Sequence, residues 1–284
     1  MHGKAMTTKL IALDLDDTLL NSNREISDEN VAALQECAKR GIYIVLCSGR
    51  AEDAIRPFIK RLNLEGIGCS EQGKFLIAIN GCSIFDLKAN EQIFCKKVES
   101  DILLRTNEIA ESVGLKSEVY TPDTIYYEKE TKWTKLDVDL CGLKGAEVEN
   151  YSDFLKQGFT KMLVPGEPEE LQKLQKVLKA EFGNRAVIFT SKPYFLEILP
   201  PNCGKGEAIT WLANHIGIKV EETMGFGDSM NDESLIRLAG AGVCMSNGLD
   251  AIKQIADYVT EKDNDNSGIA DFLWKNVLNI MKCF

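Results

Sequence analysis

The first strongly apolar run of the chain, Leu10-Ile11-Ala12-Leu13, ends in a burst of carboxylates, Asp14-Leu15-Asp16-Asp17-Thr18. Asp14 and Asp16 are two residues apart, so on extended backbone their side chains point to the same side. Two carboxylates facing one space repel each other unless a cation or a proton lies between them. Such an arrangement suits chemistry and disfavours stability. Read alone, the segment is equally an acidic turn; three later segments tip the balance.

Ser48-Gly49 follows the apolar run Ile42-Tyr43-Ile44-Val45-Leu46 and enters a helical pattern. A hydroxyl and a glycine there can offer O–H and backbone N–H groups to an anion, although an ordinary helix cap has the same composition. Lys205 lies between two glycines at a helix start, where a cation opposes the helix dipole and calls for an acidic partner or ligand elsewhere. Gly227-Asp228-Ser229-Met230-Asn231-Asp232 follows the run Thr223 to Phe226. Two acids and an amide at a strand end suit a hard cation such as Mg²⁺, which takes oxygen ligands octahedrally.

The elements that would position these groups form a repeating pattern. Strand, helix, strand, helix, strand runs from Leu10 to Ile79 with continuous apolar β segments, as in a parallel sheet covered by helices. Ser27 caps the first helix, and Pro57 predicts a kink or a late start in the second. After Asn80-Gly81 the rhythm changes to a hairpin and short strands with two helices, near Asp101 to Val113 and Pro168 to Phe182, which predicts an antiparallel α+β module. From Gly206 the α/β alternation returns. The expectation is a doubly wound, Rossmann-like α/β core of residues 1–85 and 196–284 with an inserted α+β module of residues 86–195.

Bulk properties narrow the function. The 284 residues carry 33 basic and 43 acidic side chains, a formal charge of −10 that argues against nucleic acid or an anionic membrane surface as partner. Nine cysteines are irregularly spaced with no Cys-x-x-Cys, which suggests neither a disulfide framework nor a zinc site and fits a reducing cytoplasm. Only His2 and His215 exist, and His215 sits in a helical pattern with nothing acidic or nucleophilic beside it, so triad hydrolysis is set aside. Met6 is a second candidate start.

In their order and placement the four segments resemble the haloacid dehalogenase-like phosphohydrolases: Asp14-Leu15-Asp16-Asp17-Thr18, Ser48-Gly49-Arg50, Lys205, and Gly227-Asp228-Ser229-Met230-Asn231-Asp232. The insertion lies between the second and third, as in the Cof-type subgroup with its large α+β cap of the C2 type. Ile79-Asn80-Gly81, Met245-Ser246-Asn247 and Ser267-Gly268-Ile269-Ala270 resemble stretches of that subgroup too, the last departing from its Asp-Gly-Val-Ala form. The resemblance implies a Mg²⁺-dependent phosphatase of small phosphorylated metabolites, sugar phosphates foremost, working as a monomer or homodimer. Asp14 would be the nucleophile and Asp16 the acid and base. Asp14, the Asp16 carbonyl and Asp228 would hold Mg²⁺. Ser48, Gly49, Lys205 and Asn231 would bind the phosphoryl group, with Asp232 orienting Lys205 or a metal-bound water. A phosphosugar mutase resembling phosphomannomutase and a non-enzymatic phosphate-ester binder are the alternatives. Tyr120, Tyr126, Tyr127 and Trp133 in the insertion read as core aromatics before they read as pocket lining.

Overall fold

The structure is a computed structural model that describes residues 7–64 and 74–278. Met6, His2, Cys69 and Cys283 lie outside the described residues. The chain divides into two units, residues 1–49, 55–93 and 204–284 in the first, and 50–54 and 94–203 in the second. Among the described residues no helix is long and apolar enough to cross a membrane.

The first unit opens with β1 (Leu10–Leu13), α1 (Asp28–Lys39), β2 (Tyr43–Cys47), α2 (Glu52–Leu62, shared with the second unit), β3 (Phe75–Ala78), β4 (Ser83–Asp86) and β5 (Glu91–Cys95). Ser27 caps α1 by accepting from the Asn30 N–H at 3.3 Å, as its hydroxyl predicts. Pro57 lies inside α2, which begins at Glu52, well ahead of the late start that the proline suggested.

The second unit contributes α3 (Ser100–Ser112), β6 (Glu118–Tyr120), β7 (Thr124–Tyr127), α4 (Lys132–Cys141), β8 (Lys144–Glu147), α5 (Tyr151–Leu155), β9 (Met162–Pro165), α6 (Pro168–Phe182), β10 (Val187–Lys192) and β11 (Phe195–Leu199). The chain then returns to the first unit with α7 (Lys205–His215), β12 (Thr223–Gly227), α8 (Glu233–Leu238), β13 (Ala241–Cys244), α9 (Asp250–Lys253), β14 (Tyr258–Val259) and α10 (Gly268–Leu273).

The sheet of the first unit has the order β14-β13-β12-β1-β2-β3-β4-β5. Pairings from β14 through β3 are parallel, and β3 with β4 is antiparallel. Residues Leu10 to Leu13 have no exposed surface, which is why this strand is apolar without alternation. The chain winds from β1 outward to β3 on one side and from β12 to β14 on the other. The winding therefore reverses between β1 and β12, where an open α/β sheet leaves a crevice at the carboxyl ends of its strands.

The second sheet has the order β10-β11-β9-β6-β7-β8. The expected antiparallel pairing holds except that β8 runs parallel to β7. Strand β11 lies between β10 and β9 in this sheet, so residues 196–199 belong with the insertion, not with the core segment expected to begin at 196. Likewise β5 continues the first sheet beyond the expected break at 85. Helices α4 and α5 and strand β8 add to the two helices expected here.

One face of the second sheet joins Val119, Met162, Val164, Leu196 and Ile198 to α3, α5 and α6 in an apolar core. The alternate residues of the same strands include Glu118, Tyr120 and Glu197, all buried, with the buried Lys161 just before β9. The Tyr120 phenol lies 3.1 Å from Glu118 Oε1 and contacts Asp137 of α4 on its other side. A single O–H can donate to only one of these carboxylates, so the second bond needs a proton on a carboxyl. Lys161 Nζ stands 4.1 Å from the centroid of the Tyr120 ring and 3.8 Å from Glu197 Oε1. Burial and the neighbouring Asp137 hold the Glu118 carboxyl well above its ordinary value, and its Oε2 has no hydrogen-bond partner. Tyr120 and Tyr127 are core residues and Tyr126 packs on the apolar core, whereas Trp133 is half-exposed and stacks on Tyr194 at 5.7 Å.

A raised carboxyl binds its proton more tightly in the folded state than in the unfolded one, so stability falls as pH rises through the folded value. Wild-type stability should therefore decline above about pH 4.5, the ordinary glutamate value. Glu118→Gln, whose amide supplies the missing donor permanently, should remove that part of the decline and gain about 1–3 kcal/mol at pH 8. Urea unfolding of both proteins from pH 4.5 to 8 checks this; parallel curves would contradict the shared proton.

Candidate active site

Three strand ends and one helix start converge at the carboxyl edge of the first sheet. Register pairs Leu13 with Phe226, and the Asp14 N–H donates to the Phe226 carbonyl at 3.0 Å. Asp14 is thereby set beside the Gly227-Asp228 end of β12. After Asp14 the chain makes a wide turn closed by the N–H groups of Leu19 and Leu20 on the carbonyls of Asp14 and Leu15 (3.3 and 2.8 Å), with Asp17 at φ +60°. Asp16 sits in that turn, half-buried, on extended backbone.

Lys205, the first residue of α7, is fully buried. Its ammonium contacts Asp14 Oδ1 and lies 2.5 Å from Asp232 Oδ1. These are the acidic partners that its unfavourable place at a helix N-terminus required. Burial opposes the charged form, but Asp14 and Asp232 outweigh it and raise the Lys205 pKa above the ordinary lysine value. The same burial acts on the acids. Desolvation, then the nearby Asp232, push Asp14 well above the carboxylate range despite Lys205. Asp228 is pushed up to about 7 by burial and by Asp232. One carboxylate oxygen from each of Asp14, Asp228 and Asp232 lies within 4.8 Å of the others.

The three acids are not equivalent. Asp232 Oδ1 receives Lys205, and its Oδ2 accepts the N–H groups of Asp228 (2.9 Å) and Ser229 (3.2 Å). Both of its oxygens are committed within the protein. Asp228 Oδ1 accepts the Thr18 hydroxyl at 3.1 Å, and Asp228 is partly exposed. A hard divalent cation fits this donor set, since oxygen ligands carrying more negative charge than one ammonium balances are what such an ion takes. Asp14 and Asp228 are the side chains left to hold it.

Ser48 is buried at the end of β2, its N–H on the Ile77 carbonyl at 2.9 Å, and Gly49 follows it. Asn231 accepts from the Ser229 hydroxyl at 2.7 Å and donates one N–H to Asn80 Oδ1 at 3.3 Å. An amide carries two N–H groups, so a second remains for a ligand. The site residues inferred from the sequence thus gather at one sheet edge. Two residues outside the expected site join it: Thr18, whose hydroxyl reaches Asp228, and Asn80 of the subgroup-like Ile79-Asn80-Gly81 stretch, which reaches Asn231. The signal for Asn80 was its position, directly after a buried parallel strand. His215 lies on α7 in stacked contact with Trp211 (4.9 Å), apart from this chemistry.

A doubly wound sheet with acids at the switch point between β1 and β12, an ammonium locked among them and amide and hydroxyl donors around it defines a phosphoryl-handling α/β hydrolase. The chain belongs to the haloacid dehalogenase-like hydrolases, Cof type, matching that family's profile over residues 11–273. It is 32% identical to the 5-amino-6-(5-phospho-D-ribitylamino)uracil phosphatase YcsE of Bacillus subtilis, over 92% of this chain and 93% of that one. It is 31% identical to the phosphatase YwpJ of the same organism, over 93% and 98%. The crystal structure of a haloacid dehalogenase-like hydrolase from Bacteroides thetaiotaomicron superposes with a TM-score of 0.84 at 30% identity, covering 94% of this chain and 99% of that one. The protein is a phosphoric monoester hydrolase.

Lys205→Met should leave Asp14 and Asp232 buried without their cation and cost about 3–5 kcal/mol of stability. Urea unfolding in metal-free buffer measures it. A loss below about 1 kcal/mol, the size of a surface ion pair, would show that the ammonium does not balance these acids.

Proposed function

We propose that the protein is a Mg²⁺-dependent phosphatase of small phosphorylated metabolites, sugar or polyol phosphates foremost, acting through an aspartyl-phosphate on Asp14. The observation that carries this reading is the buried Lys205 ammonium between Asp14 and Asp232, with Asp228 open to a further cation. Bound Mg²⁺ would neutralise the charge of the phosphoryl group and of the two acids that face it. Asp14, the Asp16 carbonyl and Asp228 would hold it.

Lys205 draws the Asp14 carboxylate into one orientation, from which it attacks phosphorus in line as the ester oxygen leaves. Asp16, two residues on, protonates the leaving oxygen and then takes a proton from the water that attacks the aspartyl-phosphate. The Ser48 hydroxyl, the Gly49 N–H, the Lys205 ammonium and the Asn231 amide hold the phosphoryl oxygens as charge builds on them. Asp232 fixes Lys205 and, through two backbone N–H groups, the start of the loop that carries Asn231.

In this reading the insertion is a cap over the site that selects the leaving group. Support for a sugar or polyol ester comes from the relative whose substrate name contains a phosphoribityl group. The cytoplasmic placement expected from the cysteine pattern belongs to the same proposal.

Phosphate release from an aryl phosphate should require Mg²⁺ and stop in EDTA; undiminished release in EDTA would exclude the metal. Asp14→Asn should abolish turnover. Asp16→Asn removes only the proton shuttle, so it should cost roughly 10²–10⁴-fold on sugar phosphates and clearly less on aryl phosphates, whose leaving groups need no acid. Equal losses on both substrate types, read as kcat/KM, would refute the assigned roles.

A further inference from the structure

The turn after β3 is the most strained backbone beside the site. Ile79 and Asn80 both have φ +51°, and Gly81 has φ +96°. For a β-branched residue such as Ile79 this is a rare conformation, and it persists only where the surroundings over-determine it. Strain of this kind marks a segment whose position matters more than its comfort.

Three separate contacts show what the turn holds in place. The Asn80 N–H donates to the Ser48 carbonyl at 2.9 Å, and its side chain fills the space over Gly49, where an added Cβ would lie 3.0 Å from Asn80 Oδ1. The same Oδ1 accepts the Asn231 amide at 3.3 Å. Next to it, Gly81 backs onto Gly204, whose carbonyl would stand 2.2 Å from any Cβ at position 81 and which accepts the first N–H bond of α7, from Ala208 at 3.1 Å. Gly204 immediately precedes Lys205. One buried three-residue turn therefore touches the segments that carry Ser48 and Gly49, Asn231, and Lys205.

We propose that Asn80 is a positioning residue for the phosphoryl clamp: its side chain sets the spacing between the Ser48-Gly49 loop and the Asn231 amide. This rests on the reading that those three groups bind the phosphoryl oxygens. Asn80 does not itself touch the reacting atoms. By occupying one N–H of Asn231 it turns the other toward the ligand, and by packing on Gly49 it keeps that N–H group from drifting. Asparagine suits the position because it tolerates the left-handed backbone better than other side chains and offers an acceptor.

The test separates backbone from side chain. Asn80→Gly keeps the left-handed conformation at no steric cost and removes only the amide. Its melting temperature should stay within about 3 °C of wild type, while kcat/KM on an aryl phosphate falls about 10–100-fold, the size of effect that a misplaced clamp produces. The dissociation constant for inorganic phosphate, measured by calorimetry with Mg²⁺ present, should rise about tenfold. Adding Asn80→Gly to Asn231→Ala should cost clearly less than Asn80→Gly costs alone, because part of its effect runs through the bond the two residues share. Additive losses, or wild-type kcat/KM in Asn80→Gly, would overturn the proposal. Failure of the wild type to hydrolyse any ester would end the functional reading, and phosphate binding alone would then decide. Equal dissociation constants for wild type and Asn80→Gly, or binding by neither, would also overturn the positioning role.

Discussion

A lysine ammonium without water must be surrounded by charge of the opposite sign, and the candidate active site is built around that requirement. Lys205 has no exposed surface, and transferring such an ion from water costs several kcal/mol even after relaxation. Asp14 and Asp232 supply the compensating charge, one from the end of β1 and one from the loop after β12. Neither acid can move without stranding the ammonium. The arrangement ties together chain segments that are 191 and 27 residues apart in sequence. It also explains why the β1 and β12 strand ends must be neighbours: the reversal of winding at that point brings them there.

Counting charges then divides labour among the acids. Asp14, Asp228 and Asp232 carry three negative charges against the one positive charge of Lys205. Backbone N–H groups on Asp232 offset part of the excess, and that acid is left with no free oxygen. The remainder falls on Asp14 and Asp228, whose carboxyls burial and Asp232 push up. A buried group in that condition takes a proton or a cation. The second unit shows the alternative solution. There Glu118 and Asp137 meet at one phenol beside the buried Lys161, Glu118 Oε2 has no donor, and burial favours a proton on its carboxyl. The first arrangement leaves room for exchange with a ligand; the second closes on itself.

The sequence displays the parts of this design that depend on local periodicity. Strands β1, β2 and β12 are continuous apolar runs because both of their faces are covered, and the polar residues that follow them announce the sheet edge. Helix α4 escaped notice for the converse reason. Its buried positions include Thr134 and Asp137 rather than an apolar stripe, so the pattern that betrays a helix is missing where the helix serves a polar cluster. Strand β8, Lys-Gly-Ala-Glu, is a largely exposed edge with no alternation to read. Strand β11 was legible as a strand, but the boundary at residue 196 cut through it, because its pairing with β9 is decided by contacts thirty or more residues away. Asn80 stood out within a subgroup-like stretch but without a role, because its partners Ser48 and Asn231 are 32 and 151 residues distant.

Strain and charge reinforce each other at this sheet edge. Asp17, Ile79 and Asn80 all occupy left-handed backbone, at a cost of about 1–3 kcal/mol each for residues with a Cβ. Relaxing any one of these turns would displace a group that an ionic or hydrogen-bonded partner holds: the Asp17 carbonyl takes the Asn247 amide at 2.7 Å, and Asn80 takes that of Asn231. The segments the ammonium joins also carry these turns: Asp17 lies three residues after Asp14, and Gly81 backs onto Gly204, just before Lys205. A softer core would let the backbone relax and scatter the donors. In the proposed reading a phosphoryl group would meet those donors at set distances before it arrives, and the stability lost in the turns would be the physical counterpart of preorganisation.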